Sequence, residues 1–380
     1  METIYLDHSA TTPIHPEVLG GMMSFFANHF GNPSSIHREG RLAREAVECS
    51  RALVASLLGA EPGEVVFTGG GTESDNLALL GAAFAESRGR NHLITSAIEH
   101  PAVENACRHL MERGFAVTFL PVDGKGRVDP GEVGRAITEK TFLVSVMHAN
   151  NEIGTIQPLR EIAAITRERG VLLHTDAVQS AGKIPVPVDE LGVDLLSLTG
   201  HKFYGPKGTG ALYVRKGTVL KSITFGGHQE GNLWNGTENV PGVVGLGMAC
   251  QIAARDLEAQ AVHLTGLREL LAEKIREGVP DVVINGHATE RLPHLLSVSF
   301  PCLSGEALVR ELDLRGIAVS AGSACTAGST RISHVLNALG MEEALAVGTL
   351  RFSMGRTNTP DQILHVASLM KKLVNRRRVL

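Results

Sequence analysis

The sequence predicts an α/β fold in which a mainly parallel sheet is covered by helices. Two observations support this prediction. Between about Glu64 and Val214, short runs rich in Val, Ile and Leu alternate with stretches of helical spacing that end at glycine. Strands of this composition that alternate with helices indicate a parallel sheet buried on both faces.

Seven strands are predicted in this region, and three helices lie between them. The predicted strands are 64–68, 92–96, 116–121, 142–148, 171–176, 194–199 and 210–215. The predicted helices are 73–89, 101–114 and 159–170. In an open parallel sheet ligands bind beyond the carboxyl ends of the strands, so the residues that follow these strands are the first candidates for a functional site.

The second half of the chain shows a different sequence pattern. A glycine-rich stretch, Gly226 to Gly247, precedes a long helical segment at 253–278, and further strands are predicted near 282–286 and 294–301. The helical segment is interpreted as a connector into a second domain, roughly 260–380. A length of 380 residues is in keeping with two domains.

Composition and charge exclude several classes of function. The net charge of −4 argues against a general nucleic-acid or membrane surface. The opening "METIYLDHSATTP" does not resemble a secretory leader, and no apolar run is long enough to span a bilayer. Five scattered cysteines without a CxxC pair predict free thiols in a reducing cytoplasm, and with no HExxH motif a metal site is not indicated.

A glycine-rich turn follows the first predicted strand, in "VVFTGGGTESDN". Glycines let the backbone approach a phosphate, and a helix that begins near Thr72 would supply free N–H donors. The alternative is an ordinary strand–helix turn capped by Thr72, in which Glu73 or Asp75 complements the helix dipole. The turn is neither a P-loop nor a GxGxxG motif.

Asp176, Lys202 and His100 follow other predicted strands. Asp176 is either the N-cap of a following helix or the counter-ion of a cationic ligand atom, because an unpaired buried carboxylate is costly. Lys202 is either solvated or forms a Schiff base, and His100 is either structural or stacks on a ring. A lysine, a carboxylate and a phosphate cradle together predict pyridoxal phosphate as cofactor.

Cys325 lies in "SAGSACTAGST", among residues too small to pack a buried thiol. It is either an incidental cysteine in a linker or a nucleophile on a segment that moves. A thiolate is most usable where it is partly exposed.

A series of motifs resembles one known family. In order along the chain they include "YLDHSATTP", "FGNPSSIH", "GGGTESDN", "EHPAV", "HANNEIG", "HTDAVQSAGK", "GHKFYGPKG", "NGTENV", "SAGSACT" and "RFSMGR". Together they resemble the cysteine desulfurases of the NifS/IscS type, which are class-V aminotransferase-like enzymes. The matches run from Tyr5 to Arg356, and "GHKFYGPKG" with a downstream "GSACT" is the most specific pair.

The resemblance implies a role for each matching residue. Lys202 would form the Schiff base with pyridoxal phosphate, Asp176 would pair with its ring nitrogen, and His100 would stack on its ring. The other cofactor-binding residues implied are Gly71, Thr72, Asn151, Gln179, Thr199 and His201, with Thr237 from the second subunit of a homodimer. Those implied for the substrate are Asn32, Asn151 and Arg351, the last binding the α-carboxylate.

The activity implied is conversion of L-cysteine to L-alanine, with the sulfur carried as a persulfide on Cys325. The sulfur would pass to an acceptor protein for iron–sulfur cluster assembly or thiolation, in the cytoplasm. The implied fold is a fold-type I transferase, with a large cofactor-binding domain at 15–258. Residues 1–14 and 259–380 would form a smaller α+β domain that carries the cysteine loop at 320–334.

Two other functions are open. One is a selenocysteine lyase or related class-V β-lyase, and the other is a non-catalytic scaffold of the same fold.

The chain also departs from the family pattern "GGGQERGxRSGTEN", because Gly231 and Trp234 stand where arginines are expected. Thr199 stands where serine is also common, and "STRISHVL" replaces a typical "SLEPSHVL".

Overall fold

The computed structural model describes residues 3–321 and 332–378, with side chains up to residue 375. Within this part of the chain lie thirteen strands and twelve α-helices. The strands are β1 (Ile4–Tyr5), β2 (Val65–Thr68), β3 (His92–Ser96), β4 (Ala116–Leu120), β5 (Thr141–Ser145), β6 (Leu172–Asp176), β7 (Leu195–Thr199), β8 (Gly210–Val214), β9 (Val283–Ile284), β10 (Leu295–Ser299), β11 (Ile317–Ala318), β12 (Ser320–Ala321) and β13 (Thr349–Ser353).

Most of the helices pack against the sheets, and α8 is the longest described. The helices are α1 (Pro16–Ala27), α2 (Arg38–Leu58), α3 (Gly71–Ala85), α4 (Pro101–Glu112), α5 (Pro130–Ala136), α6 (Leu159–Glu168), α7 (Val188–Leu191), α8 (Val240–Gly278), α9 (Gly305–Asp313), α10 (His334–Ala338), α11 (Glu343–Ala346) and α12 (Pro360–Arg378). Short 3₁₀ turns lie at Pro62–Glu64, Gly200–Lys202 and Glu230–Asn232. In the described ranges, none of these helices combines the length and apolar character that crossing a bilayer requires.

The central sheet has seven strands in the order β2-β8-β7-β6-β5-β3-β4. The strands β4, β3, β5, β6 and β7 run parallel to one another, and β8 is antiparallel to both β2 and β7. All seven correspond to strands predicted from the sequence, and the predicted α/β class with a mainly parallel sheet is confirmed.

Apolar clusters cover both faces of the central sheet. One cluster joins the sheet to α2, α6 and the first half of α8, and another joins it to α3 and α4. The inner strands are buried along their whole length, and this explains why they consist of near-continuous apolar runs.

A second core lies in the C-terminal part of the chain. It surrounds a four-stranded sheet, in the order β12-β13-β10-β9, and includes residues of α9, α12 and the second half of α8. The N-terminal residue Leu6 belongs to this core, and β1 pairs with β11 beside it. The predicted boundary between residues 258 and 259 falls inside the continuous helix α8. The division into 15–258 and the remainder stays a prediction.

The sheet brings distant parts of the sequence to one edge. Because β3, β5, β6 and β7 are parallel, the residues that follow them emerge on the same side. β2 enters α3 at this edge, next to the start of β8. This arrangement forms a cavity from residues of five separate connections.

Candidate active site

A cavity of about 230 Å³ lies at the carboxyl edge of the central sheet. Nine residues predicted from the sequence to bind the cofactor line it: Gly71, Thr72, His100, Asn151, Asp176, Gln179, Thr199, His201 and Lys202. Asp75, Met147 and Val178 complete its lining. The structure therefore brings together residues that are up to 131 positions apart in the chain, from Gly71 to Lys202.

The N-terminus of α3 forms one wall of this cavity. Its N-cap is Gly70, at φ 157°, and no side chain caps the first turn. Thr72 lies inside the helix, so the capping role considered for it in the sequence is not observed. A Cβ on Gly71 would lie 2.6 Å from Val178, so only glycine fits there. Uncapped N–H groups and the positive end of the helix dipole suit an anion such as a phosphate.

Asp176 ends β6 and is almost fully buried. Its Oδ1 accepts a hydrogen bond from the backbone N–H of Val178 at 2.8 Å. Burial raises the pKa of Asp176, and the charges of His100 and Lys202 act against that rise. The carboxyl thus shapes the turn after β6 and still has an oxygen available for a cationic partner in the cavity.

Asp75 is a second buried carboxyl at the cavity, and it was not singled out as a site residue from the sequence. It is 1% exposed, and among the described residues its Oδ1 has no hydrogen-bond partner. The nearest basic nitrogen is Nε2 of His174, at 3.6 Å. Burial, followed by the charge of Asp176, raises the pKa of Asp75 well above its usual value. The signal that could have identified Asp75 as a site residue is its position on the buried face of α3.

Lys202 is held by the N-terminal segment of the chain. Its Nζ donates hydrogen bonds to the carbonyl oxygens of Ser9 and Ala10, both at 2.8 Å. Gln179 donates from Nε2 to the same Ser9 oxygen at 3.0 Å. The amine therefore lies at the cavity rather than in bulk solvent, as a lysine that binds an aldehyde must.

His100 is the N-cap of α4, and its Nδ1 accepts from the N–H of Ala102 at 3.2 Å. Burial lowers the pKa of His100. The charge of Asp176 acts against this effect, and those of Lys202 and His334 add to it. A neutral ring whose Nδ1 accepts a hydrogen bond carries its proton on Nε2, so Nε2 is the atom that can donate a proton.

Thr199 and His201 have partners outside the cavity as well. The hydroxyl of Thr199 donates to the carbonyl of Thr209 at 2.7 Å, and it can still accept a hydrogen bond. Nδ1 of His201 lies 3.1 Å from the hydroxyl of Thr11. Burial lowers the pKa of His201 to about 4, so its ring is neutral and can donate one N–H.

Arg351 is buried behind the cavity and does not line it. It donates to the carbonyl oxygen of Asn151 at 2.9 Å and to Oδ1 of Asp7 at 2.9 Å. Asn32 and Thr237 are exposed and lie outside the cavity lining. Cys325 lies outside the described residues. The substrate roles of Asn32 and Arg351, the role of Thr237 and the role of Cys325 stay predictions.

The segment that departs from the family pattern has an unusual backbone. His228, Glu230, Gly231 and Asn232 all have positive φ angles. Arg51 holds Glu230 with two hydrogen bonds of 2.7 and 2.8 Å. Trp234 is half-buried against the cluster under α3, so the residue that replaces an expected arginine is used in packing.

The residues of the cavity fit pyridoxal phosphate. The uncapped first turn of α3 suits its phosphate, the buried carboxyl of Asp176 suits a protonated ring nitrogen, and Lys202 supplies an amine for its aldehyde. Asp75 also lines the cavity, and its buried Oδ1 lacks a hydrogen-bond partner in the described residues. These three groups match the phosphate, the ring nitrogen and the aldehyde of the cofactor.

Comparisons with known proteins agree with this assignment. The model of the class-V aminotransferase family matches residues 4–366. The cysteine desulfurase IscS of Dictyoglomus turgidum is 46% identical over 377 residues, which cover 99% of this chain and 96% of that protein. The cysteine desulfurase IscS of Methanosarcina thermophila is 46% identical over 377 residues, covering 99% and 93%.

Solved structures show the same relationship. A NifS-like protein is 38% identical, with a TM-score of 0.92, and the match covers 98% of this chain and 99% of that one. SspA, solved in complex with cysteine, is 39% identical, with a TM-score of 0.82 and coverage of 93% and 99%. The chain therefore belongs to the class-V aminotransferase family, in its group of NifS/IscS-type cysteine desulfurases, and its cofactor is pyridoxal phosphate.

Proposed function

We propose that this chain is a cysteine desulfurase that converts L-cysteine to L-alanine and carries the sulfur as a persulfide on Cys325. One observation carries the proposal: Lys202, Asp176 and the uncapped N-terminus of α3 line a single cavity. The full-length relatives named cysteine desulfurase, and the SspA structure with bound cysteine, support the choice of substrate.

Most residues of the cavity have a role in this proposal. Pyridoxal phosphate, when bound, supplies an aldehyde that links to amines and a ring that accepts electrons. Lys202 would hold the aldehyde, and Asp176 would keep the proton on the ring nitrogen. The first turn of α3, with Thr199 and His201, would hold the phosphate, and Gln179 would donate to the phenolic oxygen.

The side chains around the substrate bind it and move its protons. Arg351 would bind the α-carboxylate through its planar guanidinium, with Asn32 and Asn151 orienting the substrate. His100, with a neutral ring that carries its proton on Nε2, would donate that proton. In the sulfur-transfer step the Cys325 thiolate attacks the substrate sulfur. An S–S bond forms, the C–S bond breaks, and its electron pair stays on the substrate carbon, which is protonated to give alanine.

The proposed assembly is a homodimer in which Thr237 reaches the phosphate of the other subunit. An exposed apolar row supports it: Leu19, Met23 and Phe26 lie on one side of α1, and Phe30 follows. Phe225, twelve residues before Thr237, is 94% exposed. A group of large exposed apolar side chains often marks a protein interface.

The proposed location is the cytoplasm, and the proposed recipient of the sulfur is an acceptor protein. The four described cysteines, Cys49, Cys107, Cys250 and Cys302, are unpaired, as is usual in a reducing compartment. Iron–sulfur cluster assembly or thiolation would use the persulfide, in keeping with the IscS names of the relatives.

The test is a turnover assay on purified protein loaded with pyridoxal phosphate. We expect alanine to form from L-cysteine in proportion to persulfide plus sulfide, with the persulfide mapped to Cys325. Alanine from selenocysteine but not from cysteine would instead identify a lyase of the related class. A protein that binds no cofactor and releases no alanine would be a scaffold, and the proposal would be wrong.

A further inference from the structure

Residues 332–336 lie immediately after the part of the chain that contains Cys325. Ser333, at their centre, donates a hydrogen bond from its hydroxyl to Oε2 of Glu152 at 2.6 Å. Both side chains are 6% exposed, so water does not compete for this bond. Ser333 also caps α10, because its Oγ accepts from the N–H of Val335 at 3.1 Å.

The neighbours of Ser333 contact the same two loops. Nε2 of His334 lies 2.9 Å from the carbonyl oxygen of Glu99, the residue before His100. Val335 and Leu336 are buried in a cluster with Ile98, Met147 and Ile153. This segment therefore packs on the loops after β3 and β5, which carry His100 and Asn151 into the cavity.

The other flank of the Cys325 region reaches the same place. Ser320, in β12, pairs with Arg351 in β13. Arg351 in turn donates to the carbonyl oxygen of Asn151 at 2.9 Å. Both flanks are thus connected to the dipeptide Asn151–Glu152, one through Arg351 and the other through Ser333.

Chain length limits how far Cys325 can lie from these two flanks. It is five residues after Ser320 and eight before Ser333. At no more than about 3.5 Å per residue, the two distances cannot exceed roughly 18 Å and 28 Å. The position of Ser333 is therefore one of the two points from which the chain length limits the position of the thiol.

We propose that Glu152 is a positioning residue for sulfur transfer, because its bond to Ser333 holds the C-terminal flank of the Cys325 segment beside the cofactor cavity. This inference depends on the proposed desulfurase function. Glu152 is not among the residues that line the cavity, so it acts through Ser333. Burial raises the pKa of Glu152, while the Ser333 hydrogen bond and the charges of His334 and Arg351 act against the rise.

The experiment compares four variants: Glu152→Ala, Glu152→Gln, Ser333→Ala and Ser304→Ala. Glutamine keeps an acceptor oxygen on a side chain of the same length. Glu152→Gln should therefore retain most of the sulfur transfer that Glu152→Ala loses. Ser304→Ala is the matched control, because the Ser304 hydroxyl also caps a helix, α9, but the residue is exposed and is not the serine bonded to Glu152. Each variant is loaded with pyridoxal phosphate and mixed with one equivalent of L-cysteine.

Two steps are measured separately in this single turnover. The absorbance change of the cofactor on binding cysteine should stay within about twofold of the parent in all variants. Sulfur on Cys325, located by peptide mass spectrometry, should form about 10- to 100-fold more slowly in Glu152→Ala and Ser333→Ala, the range that follows from misplacing a reacting group by an ångström. Peptide mapping separates this sulfur from any on the exposed Cys49 and Cys302.

A second measurement uses cofactor-free protein. Amide hydrogen exchange over 332–338 should be faster in Glu152→Ala than in the parent or in Ser304→Ala, because the buried anchor is lost. Unchanged exchange, or unchanged sulfur transfer in Glu152→Ala, would overturn the inference. So would an equal loss of cysteine binding and sulfur transfer that glutamine does not restore. A parent protein that forms no alanine would contradict the proposed function, whereas the exchange result tests the anchor alone.

Discussion

Nζ of Lys202 lies 2.8 Å from the carbonyl oxygen of Ser9, a residue 193 positions earlier in the chain. The N-terminal segment between β1 and α1 thus holds the lysine amine in place. It also receives the hydrogen bond of Gln179 at 3.0 Å on the same oxygen. Two backbone carbonyls give the amine a defined position whenever it is not bound to an aldehyde.

Replacing Lys202 by alanine should remove the covalent attachment of the cofactor. Borohydride reduction of the parent should fix pyridoxal phosphate to the Lys202 peptide, because reduction makes a Schiff base permanent. In Lys202→Ala no such peptide should be found, and alanine release should be abolished. Lys216→Ala, an exposed lysine on the loop after β8, is the control and should behave as the parent. A reducible link that persists in Lys202→Ala would show that another amine holds the cofactor.

Asp176→Asn tests the charge at the ring nitrogen. Asparagine can still accept from the N–H of Val178, so the turn after β6 is kept while the negative charge is removed. We expect loosened cofactor binding and a turnover about 10²–10³-fold lower, the usual cost of removing one electrostatic stabiliser. Rates are compared at full cofactor loading, with the exposed Asp189→Asn as control. Near-normal turnover in loaded Asp176→Asn would exclude the role.

Cys325→Ala separates cofactor chemistry from sulfur transfer. The variant should keep its bound cofactor and respond to cysteine with an absorbance change, because neither step requires the thiol. It should release neither alanine nor persulfide sulfur, since the C–S bond breaks only when a thiolate attacks the sulfur. Alanine quantified by chromatography decides the result, and parent-like release would remove Cys325 from the mechanism.

Much of the central sheet and cavity could be predicted from the sequence, because strongly apolar strands and the polar residues after them leave a local signal. The two-residue strands β1, β11 and β12 leave none, since two residues show no periodicity. Asp75 was missed as a cavity residue because an acidic residue near the predicted start of a helix is adequately explained by the helix dipole.

The start of α8 shows a different limit. The sequence predicts that a glycine-rich stretch, Gly226 to Gly247, precedes a helical segment at 253–278. In the structure α8 already begins at Val240 and contains Gly242, Gly245 and Gly247. A Cβ on Gly247 would lie 2.8 Å from Cα of Ser50 in α2. Gly247 thus allows α8 to pack closely against α2, and only the tertiary structure reveals that purpose.

Two glycines of α8 should therefore respond in opposite ways to alanine. Gly247→Ala should destabilise the fold by about 1–3 kcal/mol, because the backbone of Ser50 cannot move aside. Gly266→Ala, which meets nothing within 4 Å, should stabilise it by about 0.5–1 kcal/mol through helix propensity. Denaturant unfolding of both variants measures the signs. Equal effects at the two sites would show that close contact with α2 is not the reason for Gly247.

Lys183 makes folding stability depend on pH. It is 3% exposed, its Nζ has no hydrogen-bond partner within the described ranges, and it lies 5.0 Å from the ring centre of Tyr204. Burial, together with the charge of Arg356, lowers the pKa of Lys183 from 10.5 to about 7. His8 and His294, whose pKa values burial and the Lys183 charge also lower, face the same space.

The direction of the effect follows from proton binding. Between about pH 7 and 10.5 the unfolded chain holds a proton on Lys183 that the folded chain does not, so the free energy of unfolding rises with pH across this window. Below pH 7 both states are protonated, and the cost of burying the charge is fully present.

Lys183→Met keeps the aliphatic bulk and removes that cost. The variant should therefore be more stable than the parent at pH 6–7, with a difference in melting temperature that shrinks steadily toward pH 10. Lys216→Met, at an exposed lysine, should show no such trend. A difference that stays constant from pH 6 to 10 would mean that Lys183 does not change its protonation in this range.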